Sequence, residues 1–195
     1  MRQALPILFL LLGGCASAPR PPVVEYALPL PAPITTAPAA SAPVLALAPI
    51  EAPRPLTGRK LLYRQGRRLA AYAWHRWADS PPALLTHLLV ERLAAGGRWK
   101  AVLPPHSNGR GDLRLEGTLL DFSLHLGPQP AAVVRARFVL LDQTHRVLGE
   151  RSFQIQTPVA APGPAAAAEA LGRSASELGE RVARWLAGRS LPRSR

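Results

Sequence analysis

The sequence contains very little cysteine, because Cys15 is the only one among its 195 residues. A single thiol cannot form an internal disulfide, so a disulfide scaffold and a cysteine-rich zinc site are both excluded. The five histidines fall in five separate segments, with no His-Glu-x-x-His motif. A Gly-x-Ser-x-Gly turn and a glycine-rich phosphate loop are also missing. We therefore predict that the protein is not an enzyme and that it has no metal site and no resident cofactor.

The sequence also lacks a hydrophobic run long enough to cross a membrane. The apolar stretch near the N-terminus, residues 4–12, has nine residues, whereas a spanning helix needs about 20. Arg2 supplies a positive charge before this stretch. This order of charge and apolar residues is typical of a targeting segment that is removed after export.

The targeting segment ends in Leu12-Gly13-Gly14-Cys15, which resembles the cleavage site of a bacterial lipoprotein signal. Small residues let the extended backbone enter a peptidase, and only a thiol can be diacylated through sulfur. We predict a signal peptide over residues 1–14 and a covalent lipid on Cys15, with more than one acyl chain giving stable anchoring. The alternative is an ordinary buried cysteine after a cleavable signal. By the same resemblance, Ala16 in place of aspartate favours the outer membrane.

Lysine and acidic residues are scarce beside arginine. The chain has 24 Lys and Arg against 12 Asp and Glu, a net charge of +12, and only Lys60 and Lys100 are lysines. A basic surplus often marks nucleic-acid binding, but these arginines are scattered and an exported lipoprotein meets no nucleic acid. We therefore predict attraction to anionic head groups or to an acidic partner, which salt would weaken.

Proline divides the chain into a tether and a folded part. Residues 16–56 hold 11 of the 22 prolines and only four charged residues, so this region cannot bury a core of its own. We predict a lipid anchor and proline-rich tether over residues 15–43, with an edge strand at 25–28. A folded domain follows over residues 44–188, and the basic tail 189–195 ends the chain.

The sequence pattern of the folded part predicts an α+β domain. A hairpin with Gly66 at its turn precedes a helix at about 81–96, and a longer helix follows at 164–187 with an apolar stripe over five turns. Between the helices, alternating segments predict antiparallel strands at 113–122, 133–141 and 147–157, with a bulge near Gly117. We expect an antiparallel sheet with both helices packed on one side. Arg184 and Arg189 would complement the negative end of the second helix.

Aromatic residues are few, and several of them cluster before the first helix. Tyr72, Trp74 and Trp77 cluster where a strand meets the helix, Tyr63 belongs to the hairpin, and Asp79 stands next to the helix start. We predict Tyr63, Trp74, Trp77 and Asp79 as partner-binding candidates, because exposed aromatic residues often anchor a partner. The alternative is that the tryptophans pack in the core, since aromatic side chains bury large areas.

The ordered motifs resemble those of the ABC-type transport auxiliary lipoproteins, a family that includes the PqiC lipoproteins. The motifs are the Cys15 lipobox, Tyr26-x-Leu28, Tyr63, Trp77-Ala78-Asp79 before Pro82 and Leu84-Leu85, Gly97, Val102, Asp112-Leu113, residues 119–122, Phe153 and an alanine-rich helix ending in Trp185. The resemblance covers about residues 15–187, and the proline-rich insertion at 29–43 departs from it.

The resemblance implies a non-catalytic outer-membrane lipoprotein, on the periplasmic face, that assists MCE-type transport of lipids or hydrophobic solutes. Its implied partners are a periplasmic MCE-family protein and an inner-membrane ABC or permease complex, with a ring of identical copies as one arrangement. The alternative from another class is a structural or assembly lipoprotein that binds peptidoglycan or an outer-membrane barrel.

Overall fold

The computed structural model describes residues 21–30, 37 and 41–189. The predicted signal peptide and Cys15 therefore lie outside the described residues. The described part contains eight strands and two main helices. The strands are β1 (Val24–Tyr26), β2 (Val44–Leu47), β3 (Lys60–Gln65), β4 (Arg68–Trp77), β5 (Ala101–Leu103), β6 (Leu113–Leu126), β7 (Ala131–Asp142) and β8 (Val147–Pro158); the helices are α1 (Pro81–Ala95) and α2 (Pro164–Ala187). No helix in the described segments is both long and apolar enough to cross a bilayer.

Strand β6 is the centre of the sheet. One of its edges pairs antiparallel with β7, which pairs antiparallel with β8. Two strands share its other edge: residues 45–47 of β2 pair parallel with residues 113–115, and residues 63–65 of β3 pair parallel with residues 124–126. The sheet then continues through β3 to β4 and β1, and through β2 to β5.

The predicted α+β class and both helices are confirmed, but the sheet is mixed rather than antiparallel. Four strand pairs run parallel, namely β1 with β4, β2 with β5, β2 with β6 and β3 with β6. Alternation of apolar and polar residues reports which side chains are buried and carries no information about strand direction. Whether β1, β2, β3 and β5 run parallel or antiparallel to their neighbours could therefore not be predicted from the alternation of their residues.

The bulge that the sequence predicts past Gly117 is present in β6. The register shifts between Leu119 and Asp121, whereas Gly117 is regularly paired opposite Phe138. A Cβ atom built on Gly117 would lie 2.7 Å from Phe138 Cε1 and 3.3 Å from Ile50 Cγ1. Position 117 therefore needs glycine because the Phe138 ring leaves no room for a Cβ atom. The shift in register lies in the residues that follow.

Gly117→Ala is expected to lower the free energy of unfolding by about 1–3 kcal/mol, because the new methyl group overpacks the core against the Phe138 ring. Gly58→Ala is the matched control, since nothing lies within 4 Å of a Cβ there, and it should change stability by less than about 0.5 kcal/mol. Urea unfolding followed by circular dichroism measures both. Equal stability of the two variants would contradict the close contact between Gly117 and Phe138.

Both helices bury their predicted apolar faces. In α1, Leu85, Leu88, Leu89 and Leu93 are buried, and Leu88 approaches α2 at Gly179, where a Cβ would lie 2.9 Å from Leu88 Cδ2. Helix α2 packs against β7 and β8 as well as against α1. The glycine allows the two helices to come together closely, so they form one layer over the core.

Strand β1 lies at the edge of the sheet, beside β4. Glu25 of this strand forms ion pairs with Arg76 and Arg59, at 2.6 and 2.9 Å. The hydrogen bond from Arg76, with the charge of Arg59 beside it, lowers the pKa of the Glu25 carboxyl. The backbone amide of Ala78 also donates to Tyr26 O at 2.7 Å. These contacts attach the end of the tether to the folded domain.

Candidate functional site

The four predicted partner-binding residues do not form one surface. Trp77 is fully buried and packs edge-on against Phe122, with 5.3 Å between ring centroids, so its role is in the core. Trp74 is 39% exposed and Tyr63 is half-buried. Asp79 is exposed, and its Oδ1 accepts a hydrogen bond from the Ser80 amide at 2.6 Å. The prediction that Trp77 binds a partner was therefore wrong, because this residue packs in the core. A partner role for Tyr63, Trp74 and Asp79 stays a prediction.

Tyr63 belongs instead to a row of four aromatic rings on β1, β3 and β4. Its ring lies 4.8 Å from that of Tyr72, Tyr72 lies 6.4 Å from His75, and His75 stacks on Tyr26 at 5.9 Å. The Tyr26 hydroxyl also hydrogen-bonds His75 Nδ1 at 2.9 Å. Burial, with a smaller effect of Tyr63, raises the pKa of the Tyr72 phenol. The row packs four rings together across three strands and fastens β1 to the hairpin.

A serine, an aspartate and a histidine meet on β6, but their order does not suit hydrolysis. Asp121 Oδ1 accepts from the Ser123 hydroxyl at 2.6 Å, and Asp121 Oδ2 lies 2.9 Å from His125 Nε2. In a catalytic triad the histidine stands between the serine and the carboxylate, so that it can take the serine proton. Here the carboxylate is in the middle and Ser123 is fully buried. The cluster therefore satisfies buried polar groups beside the bulge.

A groove runs along the exposed side of α1, and we call it the α1 groove. It has a volume of about 930 Å³, which is in the range of small-ligand and peptide-binding clefts. Three segments line it: α1 itself, the loop after β2 and the loop after β5. Its apolar side chains are Pro49, Ile50, Ala52, Pro82, Ala83, Val90, Pro104 and Pro105.

Polar groups in the α1 groove fix its shape and give it a negative charge. The Thr86 hydroxyl donates to Pro82 O at 2.8 Å and accepts from the Ile50 amide at 3.4 Å, which ties the loop after β2 to the helix. Glu51 and Glu91 also line the groove, together with the imidazoles of His87 and His106. No arginine, lysine or histidine nitrogen of the described residues lies within 4.0 Å of either carboxylate. In a chain with a net charge of +12, this groove is a local exception.

The α1 groove was not predicted from the sequence, although one signal was present. Helix α1 carries Ala83 and Val90 outside its leucine face, so it is apolar on two sides. A helix with apolar residues on two sides often contacts something besides its own core. The loops that complete the groove come from two distant parts of the chain, and their meeting depends on the parallel pairing of β2 with β5.

No group of three or more histidine, cysteine, aspartate or glutamate side chains that could hold a metal ion occurs in residues 21–30, 37 and 41–189.

The fold is similar to that of two crystal structures. One is a protein from Xanthomonas campestris in the family DUF330, with a TM-score of 0.75, 21% identity, and coverage of 84% of this chain and 94% of that one. The other is an uncharacterised protein, with a TM-score of 0.67, 18% identity, and coverage of 85% and 99%. Identities this low support a shared fold alone.

Among curated proteins, none is significantly similar to this chain. A match to a family described as ABC-type transport auxiliary lipoprotein component covers residues 26–183, which include strands β2 to β8, the last residue of β1 and most of α2. The motifs that carried the sequence resemblance from Tyr26 onward lie within this range or close to its end. The chain therefore belongs to the ABC-type transport auxiliary lipoprotein family.

Proposed function

We propose that this protein is a non-catalytic lipoprotein, anchored to the periplasmic face of the outer membrane, that docks an MCE-type conduit for lipids or hydrophobic solutes. Membership of the ABC-type transport auxiliary family supports a role beside a transporter. The lipobox ending in Cys15 supports the anchor, and Ala16 supports the outer membrane over the inner one.

The observation that carries the docking proposal is the α1 groove. A groove lined mainly by proline, alanine and branched side chains gains free energy when an apolar segment removes it from water. Glu51 and Glu91 would meet a positive charge on that segment. We therefore propose that the occupant is a segment of the MCE-type partner in which a lysine or arginine stands among apolar residues.

A photo-crosslinking residue placed at Ala83, in the groove, tests the partner's identity directly. The matched control is the same residue at Glu169, which is exposed on α2 outside the groove. We expect the MCE-type protein to crosslink at position 83 and not at 169 when the full chain is expressed in its own cells. A β-barrel or peptidoglycan fragments crosslinked at position 83 would support the structural or assembly alternative and contradict the docking proposal.

Removing the two groove charges is expected to weaken partner binding by about tenfold. Each exposed ion pair contributes up to about 1 kcal/mol, and about 1.4 kcal/mol is a tenfold change in affinity. The variant is Glu51→Gln with Glu91→Gln, and its control is Glu169→Gln with Glu177→Gln, which removes the same charge from α2. Affinity for the purified MCE-type partner is measured at two salt concentrations.

In that comparison the wild-type affinity should fall with salt more steeply than that of the groove variant, because exposed charges are screened. The control variant should keep both the wild-type affinity and its salt dependence. Equal weakening by the two double variants would show that net charge, and not the groove, determines binding.

A further inference from the structure

Three arginines surround a small cavity where α2 ends against β8, and we call it the arginine pocket. Arg151, Arg184 and Arg189 line it together with Trp185, and its volume is about 470 Å³. Arg151 and Arg184 also line an adjoining cavity of about 440 Å³. This end of the domain is separate from the α1 groove, with which it shares no lining residue.

Contacts with the backbone and with aromatic rings hold two of these arginines, Arg151 and Arg189, in place. Arg189 Nη1 donates to Leu148 O at 2.8 Å, and its guanidinium lies over the Trp185 ring, 5.0 Å from the centroid. Arg98 Nη2 donates to Arg189 O at 2.8 Å, which fixes the chain just after α2. The Arg151 guanidinium lies 5.4 Å from the centroid of Phe153. Cation–π contacts of this kind orient the guanidinium groups before any ligand arrives.

No Asp or Glu carboxylate of the described residues neutralises this cluster. All 12 Asp and Glu side chains of the chain belong to the described residues, and none lies within 4.0 Å of a guanidinium nitrogen of Arg151, Arg184 or Arg189. By contrast, Arg173 and Arg181 on the same helix are paired with Glu169 and Glu177. The Nε of Arg189 is buried and has no hydrogen-bond partner among the described residues.

Capping of the helix end does not account for three arginines. The C-terminus of a helix is equivalent to about half a negative charge, whereas the pocket gathers three full positive charges. Like charges held together repel one another, so the arrangement is stabilised when an anion enters. Guanidinium groups bind phosphate through two parallel N–H donors each, and a phosphate has enough oxygens to meet several of them at once.

We propose that the arginine pocket binds a phosphate group, carried either by free phosphate or by the head group of a phospholipid. This site is independent of the proposed docking at the α1 groove, because it lies elsewhere on the domain and needs no protein partner. A ligand at this site would be held by Arg151, Arg184 and Arg189, with Trp185 as an apolar wall.

Isothermal titration of the full chain in a nonionic detergent tests the proposal. The probes are inorganic phosphate, short-chain phosphatidic acid and the matching diacylglycerol, which lacks the phosphate. We expect saturable binding of phosphatidic acid and none of diacylglycerol. Comparable affinity for inorganic phosphate would identify the free anion as sufficient, whereas much tighter binding of phosphatidic acid would identify the lipid head group as the source.

Three variants distinguish binding at the arginine pocket from general electrostatic attraction to a positively charged protein. Arg184→Gln should weaken phosphate binding by about tenfold, the value of one charged hydrogen-bonding pair. Arg173→Gln removes the same charge from the same helix outside the pocket and should leave binding unchanged. Gly149→Ala removes no charge, but its Cβ would overlap the Arg189 guanidinium and push it out of the pocket, so this variant should also weaken binding.

The outcome is decided by the order of these affinities. Weaker binding by Arg184→Gln and Gly149→Ala, with Arg173→Gln equal to the wild type, supports the arginine pocket. Weakening by Arg173→Gln that matches Arg184→Gln, with Gly149→Ala unaffected, would assign the attraction to net charge and overturn the proposal. Absence of binding by both phosphate-bearing probes would overturn it too.

Discussion

A chain carrying Cys15→Ser is expected to leave the membrane fraction and appear as a soluble periplasmic protein, and transport that depends on it is expected to fail. The proposed lipid on Cys15 is the reason. One acyl chain supports a membrane-binding constant of only about 10⁴ M⁻¹, and stable anchoring needs a second signal. A serine cannot receive the thioether-linked chains, so the variant loses all of them together. The measurement is fractionation of cells followed by detection of the full chain.

Ala16→Asp is the control for this experiment. It keeps Cys15 and its lipid, but by resemblance to sorted lipoproteins it should move the protein from the outer to the inner membrane. We therefore expect Ala16→Asp in the inner-membrane fraction and Cys15→Ser in neither membrane. Normal transport by Cys15→Ser would count against the anchored docking role, and mass spectrometry showing an unmodified Cys15 thiol would remove its basis.

Trp77→Ala is expected to lower the free energy of unfolding by about 3–5 kcal/mol, the usual cost of removing a large buried aromatic ring. The side chain of Trp77 is fully buried, and its ring contacts Phe122 and lies 6.4 Å from that of Tyr26. The cavity left by alanine would lie between the edge strand β1 and the central strand β6. Urea unfolding followed by circular dichroism measures the loss.

Two further variants give this prediction its controls. Trp77→Phe should cost less than about 2 kcal/mol, because it keeps an aromatic ring and removes the Trp77 Nε1–H group, which is buried without a partner among the described residues. Trp74→Ala should cost less than about 0.5 kcal/mol, since Trp74 is exposed. Equal destabilisation by Trp74→Ala and Trp77→Ala would contradict the different burial of the two residues.

Local signals predicted the helices and the long strands. Pro81 specifies the start of α1 and the stripe ending at Trp185 specifies α2, because the fixed φ of proline and apolar periodicity act within a few residues. The alternation of β7 and β8 similarly depends only on which side chains face the core. These elements could be read from the sequence because their causes are local.

The parts that were missed depend on residues far apart in the chain. The parallel pairing of β2 and β3 with β6 joins segments about 60 residues apart, and nothing within β2 or β3 encodes that direction. Trp77 was predicted as a partner-binding candidate with core packing as the alternative, and the structure shows that it is buried. Arg184 and Arg189 were interpreted as helix-end charges, since Arg151 and Gly149 of β8 reach them only when α2 packs back on that strand.

The sharing of one β6 edge by β2 and β3 also constrains how the chain can acquire its structure. Strands made first in the chain have no central partner until residues 113–126 are available, and an isolated hairpin such as β3–β4 is marginally stable in water. Distant pairing of this kind slows folding. We therefore expect a long-lived extended state before β6 joins, which would keep the polypeptide in a condition suited to threading through an export channel.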